Sequence, residues 1–123
     1  MKWEVDISLI RDWLDKQDRK ALAKIVAALG MLEESGPSLG RPLVDRIKGS
    51  SIHNLKELRL PVGSRSEIRI LFVFDAERKA ILLVGGDKAT GKNKSEIWSG
   101  WYMRHIPLAE RRYARYLKHK ESR

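Results

Sequence analysis

Alternating apolar and polar residues open the chain and predict a short strand. Trp3, Val5 and Ile7 lie on one face of residues 2–7, and polar residues lie on the other, because successive side chains of a strand point to opposite sides. We therefore expect one face of this strand to be buried.

A helical spacing replaces the alternation after this strand. Ser8 is placed to cap a short first helix, and Asp18 is placed to cap a longer second helix. The second helix has apolar residues three or four positions apart, at Leu22, Ile25, Val26, Leu29 and Leu32. Gly36 and Pro37 end this pattern. The spacing thus predicts an N-terminal helical hairpin.

The middle of the chain changes from loop to strand signals. Residues 36–54 are rich in glycine, proline and serine, which predicts a loop with at most one helical turn. Strands are expected at residues 55–60, 67–75 and 79–85, joined by short connections that suit antiparallel hairpins. The third of these strands is apolar on both faces, which is typical of a central strand.

The last part of the chain predicts helical segments behind a basic, glycine-rich loop at residues 85–94. One helix would begin at Ser95, and Pro107 stands where a further helix could start. We therefore expect residues 1–123 to form one α+β domain. Its small, mostly antiparallel sheet would have about four strands, with an N-terminal helical hairpin and a C-terminal helix on one face.

Composition excludes several classes of protein. The chain has no cysteine, so disulfide frameworks, thiolate metal sites and cysteine nucleophiles are ruled out. The longest stretch without a charged side chain, residues 25–32, has 8 residues, whereas a membrane-spanning helix needs about 20 apolar residues. The acidic N-terminal segment lacks the apolar run of a signal peptide. We expect a soluble, cytoplasmic protein with no membrane partner.

The net charge of +9 lies almost entirely in the second half of the chain. Residues 1–54 hold 9 basic and 8 acidic side chains, whereas residues 55–123 hold 16 basic and 8 acidic ones. A basic surface of this kind attracts a polyanion, most often nucleic acid. An acidic protein partner or a simple solvated face are the alternatives.

The candidate chemistry is not that of a metal site. His53, His105 and His119 do not have the spacing of ligands on one helix, and no acidic cluster typical of calcium or magnesium sites is present. The glycine-rich loop lacks the spacing of a phosphate-binding P-loop, and no nucleophile-elbow pattern occurs. Basic side chains on the predicted sheet are what remains.

Three of these basic residues can converge. Arg59 and Arg69 occupy the polar faces of neighbouring strands, and Lys88 follows the next strand, at strand spacings of about 4.8 Å. Lys56, at the start of its strand, could reach the same rim. Such a cluster fits a phosphate ester whose transition state gains negative charge. The alternative is an ordinary ion pair between Glu57 and one of the two arginines.

Three sequence segments resemble the RelE/HigB superfamily of bacterial toxins, within it the phage-derived HigB-like branch. They are Leu55–Arg59 (LKELR), Ile68–Asp75 (IRILFVFD) and Ala80–Lys88 (AILLVGGDK). The branch has the same order: an ELR motif, then an arginine that opens an apolar strand with an acidic turn, then an apolar strand that ends in a lysine-rich loop. The resemblance covers about residues 20–105 and implies a RelE/ParE toxin-like fold.

The resemblance implies the toxin of a type II toxin–antitoxin pair. Such toxins are endoribonucleases that cut mRNA on the ribosome and inhibit translation, with no metal or cofactor. By position, Arg69 would stabilise the transition state, and Arg59, Lys88 and Lys56 would complete the catalytic set. The implied partners are mRNA, the ribosome and a cognate antitoxin of the helix-turn-helix type.

The sequence also departs from the family pattern. Glu57 stands about where RelE has a lysine, and Trp98 replaces the tyrosine of the C-terminal motif. A tryptophan cannot transfer protons, but it can stack on a base, worth about 1–3 kcal/mol; core packing is the alternative. We expect Trp98, Arg65, Lys92 and Lys94 to contact nucleic acid. A gyrase-inhibiting toxin of the ParE type and a catalytically weak RNA-binding relative are the alternative functions.

The predicted C-terminal helix is aromatic at its start and basic towards its end. Trp101 and Tyr102 are expected to pack this helix against the sheet. The basic residues that follow would be solvated or would contact ribosomal RNA phosphates; they are Arg111, Arg112, Arg115, Lys118 and Lys120.

Overall fold

A five-stranded mixed sheet forms the centre of the protein, as described by a computed structural model for residues 2–63, 66–88 and 94–121. The elements are β1 (Glu4–Asp6), α1 (Arg11–Asp15), α2 (Arg19–Ser35), β2 (Val44–Arg46), β3 (Lys56–Gly63), β4 (Ser66–Phe74), β5 (Lys79–Asp87) and α3 (Lys94–Glu121). Single 3₁₀ turns occur at Ser8–Ile10 and Gly36–Ser38. The predicted α+β class is confirmed.

The sheet has the strand order β1-β5-β4-β3-β2. The two predicted antiparallel hairpins, β3–β4 and β4–β5, are confirmed, and β5 is an internal strand. β1 pairs with β5 in parallel, and β2 pairs with β3 antiparallel. β2 was predicted as loop, since a three-residue strand is too short to show alternation. The expectation of about four strands is therefore one strand short.

The N-terminal helices agree only in part with the prediction. The Asp18 carboxylate accepts a hydrogen bond from the Ala21 amide at 2.8 Å, so the predicted cap of α2 is confirmed. α2 ends at Gly36, whose φ of 53° is a conformation that glycine adopts readily. The predicted cap at Ser8 is wrong: Ser8 lies inside a 3₁₀ turn and instead donates to Asp6. α1 has five residues and α2 has 17, so the predicted helical hairpin has one short and one long helix.

Helices cover both faces of the sheet, which corrects the expectation that they lie on one face. The core beneath α2 includes Ile25, Ala28, Leu32, Leu58, Ile70 and Phe72. The core beneath α3 includes Leu71, Val73, Ile81, Leu83, Trp101 and Ala109. Alternate residues of β4 serve the two cores, because a strand directs them to opposite sides. The polar face that carries Arg69 is therefore partly roofed by α3.

The C-terminal region is one continuous helix, so the prediction of a second helix start at Pro107 is wrong. Proline normally breaks a helix because it lacks an N–H and crowds the preceding turn. Here Pro107 is exposed, whereas Trp101 and Ala109 on either side of it are buried against the sheet. Packing of both flanks on the same sheet face holds the helix together across the proline.

Two glycines of β5 allow aromatic side chains to approach the sheet closely. A Cβ atom built on Gly86 would lie 2.6 Å from Nε1 of Trp101, and one built on Gly85 would overlap the ring of Trp13. The two tryptophans lie on opposite faces of the sheet. The absence of a side chain at Gly86 thus sets the distance of α3 from the sheet, and its absence at Gly85 sets that of α1 on the other face.

Within the described ranges, no helix is both long and apolar enough to cross a bilayer.

We predict that the same substitution has opposite effects at two glycines. Gly86→Ala should lower the free energy of unfolding by about 1–3 kcal/mol, because the new methyl group displaces Trp101. Gly30→Ala should raise it by about 0.5–1 kcal/mol, since Gly30 is inside α2 and a Cβ there meets nothing within 4 Å. Chemical denaturation of both variants measures the difference, and equal effects would contradict the proposed close approach of α3.

Candidate functional site

Three of the predicted catalytic residues lie on the α3 side of the sheet. Arg59 and Arg69 are direct cross-strand neighbours in the β3–β4 register. Arg69 is in turn opposite Gly86 of β5, and Lys88 lies two residues beyond Gly86 on the same side. The pairing of β3, β4 and β5 thus brings Arg59, Arg69 and Lys88 together, as the sequence predicted.

Lys56 does not join this cluster. It is opposite Phe72 in the β3–β4 register, on the face that α2 covers. Its ammonium group lies 5.7 Å from the centre of the Phe74 ring. The expectation that Lys56 reaches the same rim is wrong, because neighbouring residues of a strand point to opposite faces and Glu57 takes the other one.

Glu57 is a buried carboxylate at the base of the cluster. Its side chain is 2% exposed, and it accepts hydrogen bonds from Nε of Arg59 at 2.7 Å and from the Tyr102 hydroxyl at 2.6 Å. Arg59 also pairs with Asp45 of β2 at 3.2 Å. A charge withdrawn from water requires such partners. The ion pair that the sequence left as an alternative is therefore present, within the basic cluster.

Tyr102 connects α3 to this carboxylate. Burial first, and then the hydrogen bond to Glu57, raises the pKa of the Tyr102 phenol, so the hydroxyl stays protonated and acts as a donor. The ammonium group of Lys88 lies 3.4 Å from the same hydroxyl oxygen and 5.2 Å from the ring centre. Burial and the neighbouring Arg69 lower the pKa of Lys88. Sequence reasoning gave Tyr102 a packing role only.

A signal for Tyr102 was present in the sequence. Tyr102 follows Trp98 by four residues, which places the two on the same face of a helix one turn apart. The family motif directed attention to Trp98, whereas the phenol that reaches the cluster comes from the next turn of α3.

Arg69 is held in an unusual environment. Its side chain is 12% exposed, one terminal nitrogen donates to the Ile68 carbonyl at 3.0 Å, and the other lies 3.9 Å from Glu67. Its Nε is buried and has no hydrogen-bond partner in the described part of the protein, and the same holds for Nε1 of Trp101. Buried donors without partners are rare in proteins and call for a functional or structural reason.

The predicted RNA-binding residues lie largely outside the described structure. Arg65 and Lys92 are outside the described residues. Lys94 and Trp98 belong to the first turns of α3, but their side chains are not among those described. Their contacts with nucleic acid remain predictions.

The arrangement combines cationic groups with one buried anion. Arg59 is balanced by Glu57 and Asp45, whereas Arg69 and Lys88 add positive charge next to them. Guanidinium groups stabilise charge that develops on a phosphate, and an amine with a lowered pKa gives up its proton more readily. Across the described ranges, no group of three potential metal ligands occurs.

One known protein family matches most of the chain. Residues 12–114 match the family model described as "Phage derived protein Gp49-like (DUF891)". The chain belongs to this Gp49-like family. No solved structure matches the chain.

Two relatives come from Mycobacterium tuberculosis (strain ATCC 25618 / H37Rv). "Putative toxin HigB3" is 45% identical over 108 residues, which cover 88% of this chain and 87% of that protein. "Putative toxin HigB2" is 44% identical over 115 residues, which cover 94% of this chain. The chain spans 54% of the length of HigB2. The resemblance to the phage-derived HigB-like branch is thereby confirmed.

We predict that the Tyr102 hydroxyl stabilises the fold through Glu57. Tyr102→Phe should lower the free energy of unfolding by about 1–3 kcal/mol, because a buried carboxylate loses a hydrogen-bond donor. Tyr113→Phe is the matched control in the same helix, since Tyr113 stacks on Tyr116 and its hydroxyl has no hydrogen bond within the described residues. Urea denaturation of the two variants compares them, and equal losses would contradict the role of the Glu57 bond.

Proposed function

We propose that this Gp49-like protein is the toxin of a toxin–antitoxin pair and inhibits translation by cleaving mRNA on the ribosome. The observation that carries the proposal is the convergence of Arg59, Arg69 and Lys88 around the buried Glu57 on one side of the sheet. The toxin names of the two mycobacterial relatives support the biological class. The basic cluster supports a phosphodiester as the substrate.

The proposed reaction is attack of a ribose 2′-hydroxyl on the adjacent phosphate. A bond forms between the 2′-oxygen and phosphorus, the bond from phosphorus to the 5′-oxygen breaks, and a proton moves from the first oxygen to the second. Arg69 is the residue to which the proposal assigns binding of the phosphate oxygens, because one of its terminal nitrogens is only loosely paired, at 3.9 Å from Glu67. Arg59 is ion-paired with Glu57 and Asp45, and it supplies a fixed positive charge beside Arg69.

Proton transfer is assigned to Lys88 in this proposal. Its pKa is lowered, mainly by burial, so its ammonium form gives up a proton more readily than that of an exposed lysine. Tyr102 has a raised pKa and keeps its proton. Both carboxylate oxygens of Glu57 are engaged by Arg59 and Tyr102. Lys88, with its lowered pKa, is therefore the group to which we assign proton exchange.

A cognate antitoxin is the second partner in the proposal. A protein that neutralises this site has to approach Arg69 and Lys88, and acidic side chains on the antitoxin would be complementary to them. A helix-turn-helix protein remains our proposal for its type.

We predict that Arg69→Ala abolishes most mRNA cleavage in a reconstituted translation mixture. Loss of a transition-state donor typically costs about 10²–10³ in rate. Lys56→Ala should cleave close to the wild-type rate, because Lys56 lies on the α2 face of the sheet. Primer extension on a translated mRNA measures both, and Lys20→Ala on the surface of α2 serves as a control.

Each result of this assay has a defined consequence. Intact mRNA with the wild-type protein would refute the proposed function, and DNA damage in its place would assign the gyrase-inhibiting alternative. Full activity of Arg69→Ala would remove Arg69 from the mechanism. A loss with Lys56→Ala as large as that with Arg69→Ala would show that Lys56 acts in catalysis.

A further inference from the structure

The outer face of α3 carries a straight row of exposed cations. They follow one another at intervals of seven, four and three residues, and we call them the α3 basic row: Arg104, Arg111, Arg115 and Lys118. At 100° per residue these intervals keep all four within about 60° of one another around the helix, along a length of about 21 Å. The row faces solvent on the side of α3 that does not pack on the sheet.

Two other cations of this helix serve the fold. Arg112 donates to the carbonyl of Leu9 at 3.2 Å and to that of Leu83 at 2.7 Å. Lys120 pairs with Asp75 and Glu77 at the β4–β5 turn. These contacts anchor α3 rigidly and leave the α3 basic row turned outward.

The three arginines of the row, Arg104, Arg111 and Arg115, have no ion pair with an acidic neighbour among the described residues. The nearby Glu110 is occupied, since it accepts from the Ser50 hydroxyl and the Ser51 amide. The three arginines on the outer face of α3 therefore expose their positive charges to solvent.

The composition of the row favours a phosphate backbone over a folded protein. The exposed residues between its cations are Pro107 and Ala114, so the row has no apolar centre of the kind that protein interfaces have. The exposed Met103 and Leu117 lie off the row by about 60° or more at 100° per residue. Arginine is preferred where phosphates are bound, because its planar fork matches two phosphate oxygens.

The row and the candidate site lie on opposite sides of α3. Arg104 is two residues beyond Tyr102, which places the two side chains about 160° apart around the helix axis. An RNA bound along the row therefore does not have to occupy the site around Arg69. A rigid row of about 21 Å is complementary to a double-helical backbone, whose phosphates are also held in fixed positions.

We propose that the α3 basic row binds the phosphate backbone of double-helical RNA, as a second contact separate from the site around Arg69. The inference rests on the proposed function for the source of that RNA, which is the structured RNA around a translated message. The binding is independent of base sequence, because guanidinium–phosphate contacts carry no sequence information.

The test is binding to an RNA hairpin with a fully paired stem. The triple variant Arg104→Gln, Arg111→Gln and Arg115→Gln removes three charges from the row. The matched control Arg11→Gln, Arg19→Gln and Lys20→Gln removes three exposed charges from α1 and α2. We expect the first to bind the hairpin at least about tenfold more weakly, with a salt slope shallower by about 2–3, since each phosphate contact contributes about 0.9 for a duplex. The control should remain near wild type.

The outcomes separate this inference from the proposed function. Equal loss in both variants, or no loss in the first, would overturn the inference, provided that thermal melting shows both to be folded. If the first variant lost binding to poly-glutamate but bound the hairpin as the wild type does, the row would be assigned to an acidic protein partner, and the inference would also be overturned. Hairpin binding through the row without mRNA cleavage by the wild type would refute only the proposed function.

Discussion

The buried carboxylate of Glu57 is the constraint on which the candidate site depends. Its charge is tolerated because Arg59 and the Tyr102 hydroxyl contact its two oxygens, and Asp45 completes the chain of charges. An uncompensated charge in this place would cost several kcal/mol. The same set of contacts therefore fixes β2 to β3 and α3 to the sheet, while it sets the positions of Arg59 and Lys88. The contacts that stabilise the fold here are therefore the same contacts that set the geometry of the candidate site.

This arrangement requires α3 to lie unusually close to the sheet. Gly86 allows it, because any side chain there would meet Trp101, and Arg112 reinforces it by donating to two main-chain carbonyls. Because α3 lies so close, it covers Arg69 and leaves the Nε of that residue without a hydrogen-bond partner in the described part of the protein. The unsatisfied donor thus has a desolvation cost in the folded protein, which the close packing of α3 on the sheet has to offset.

The sequence predicts the parts of the fold that have strong local signals. Alternation located β3, β4 and β5, and Asp18 marked the start of α2. β2 was not predicted, because three residues are too few to show an alternating pattern. The helix start predicted at Pro107 was wrong, because local sequence rules do not take into account the sheet on which the helix packs. The same limit applies to the site. Strand parity separates Lys56 from Arg59, but the contact between Tyr102 and Glu57 joins residues 45 positions apart and follows only from the packing of α3.

The structure also explains how the +9 charge is distributed. Among the described residues, Arg59 is matched by Glu57 and Asp45, and Lys120 by Asp75 and Glu77. The arginines of the α3 basic row have no such partners there and add to the positive charge of the surface. Exposed charges act over about 8–10 Å at physiological salt, so the site and the α3 basic row, on the two sides of one helix, both contribute to the attraction of a polyanion. Neutralising the site alone would leave the row exposed, and an inhibitory partner has to compete with both.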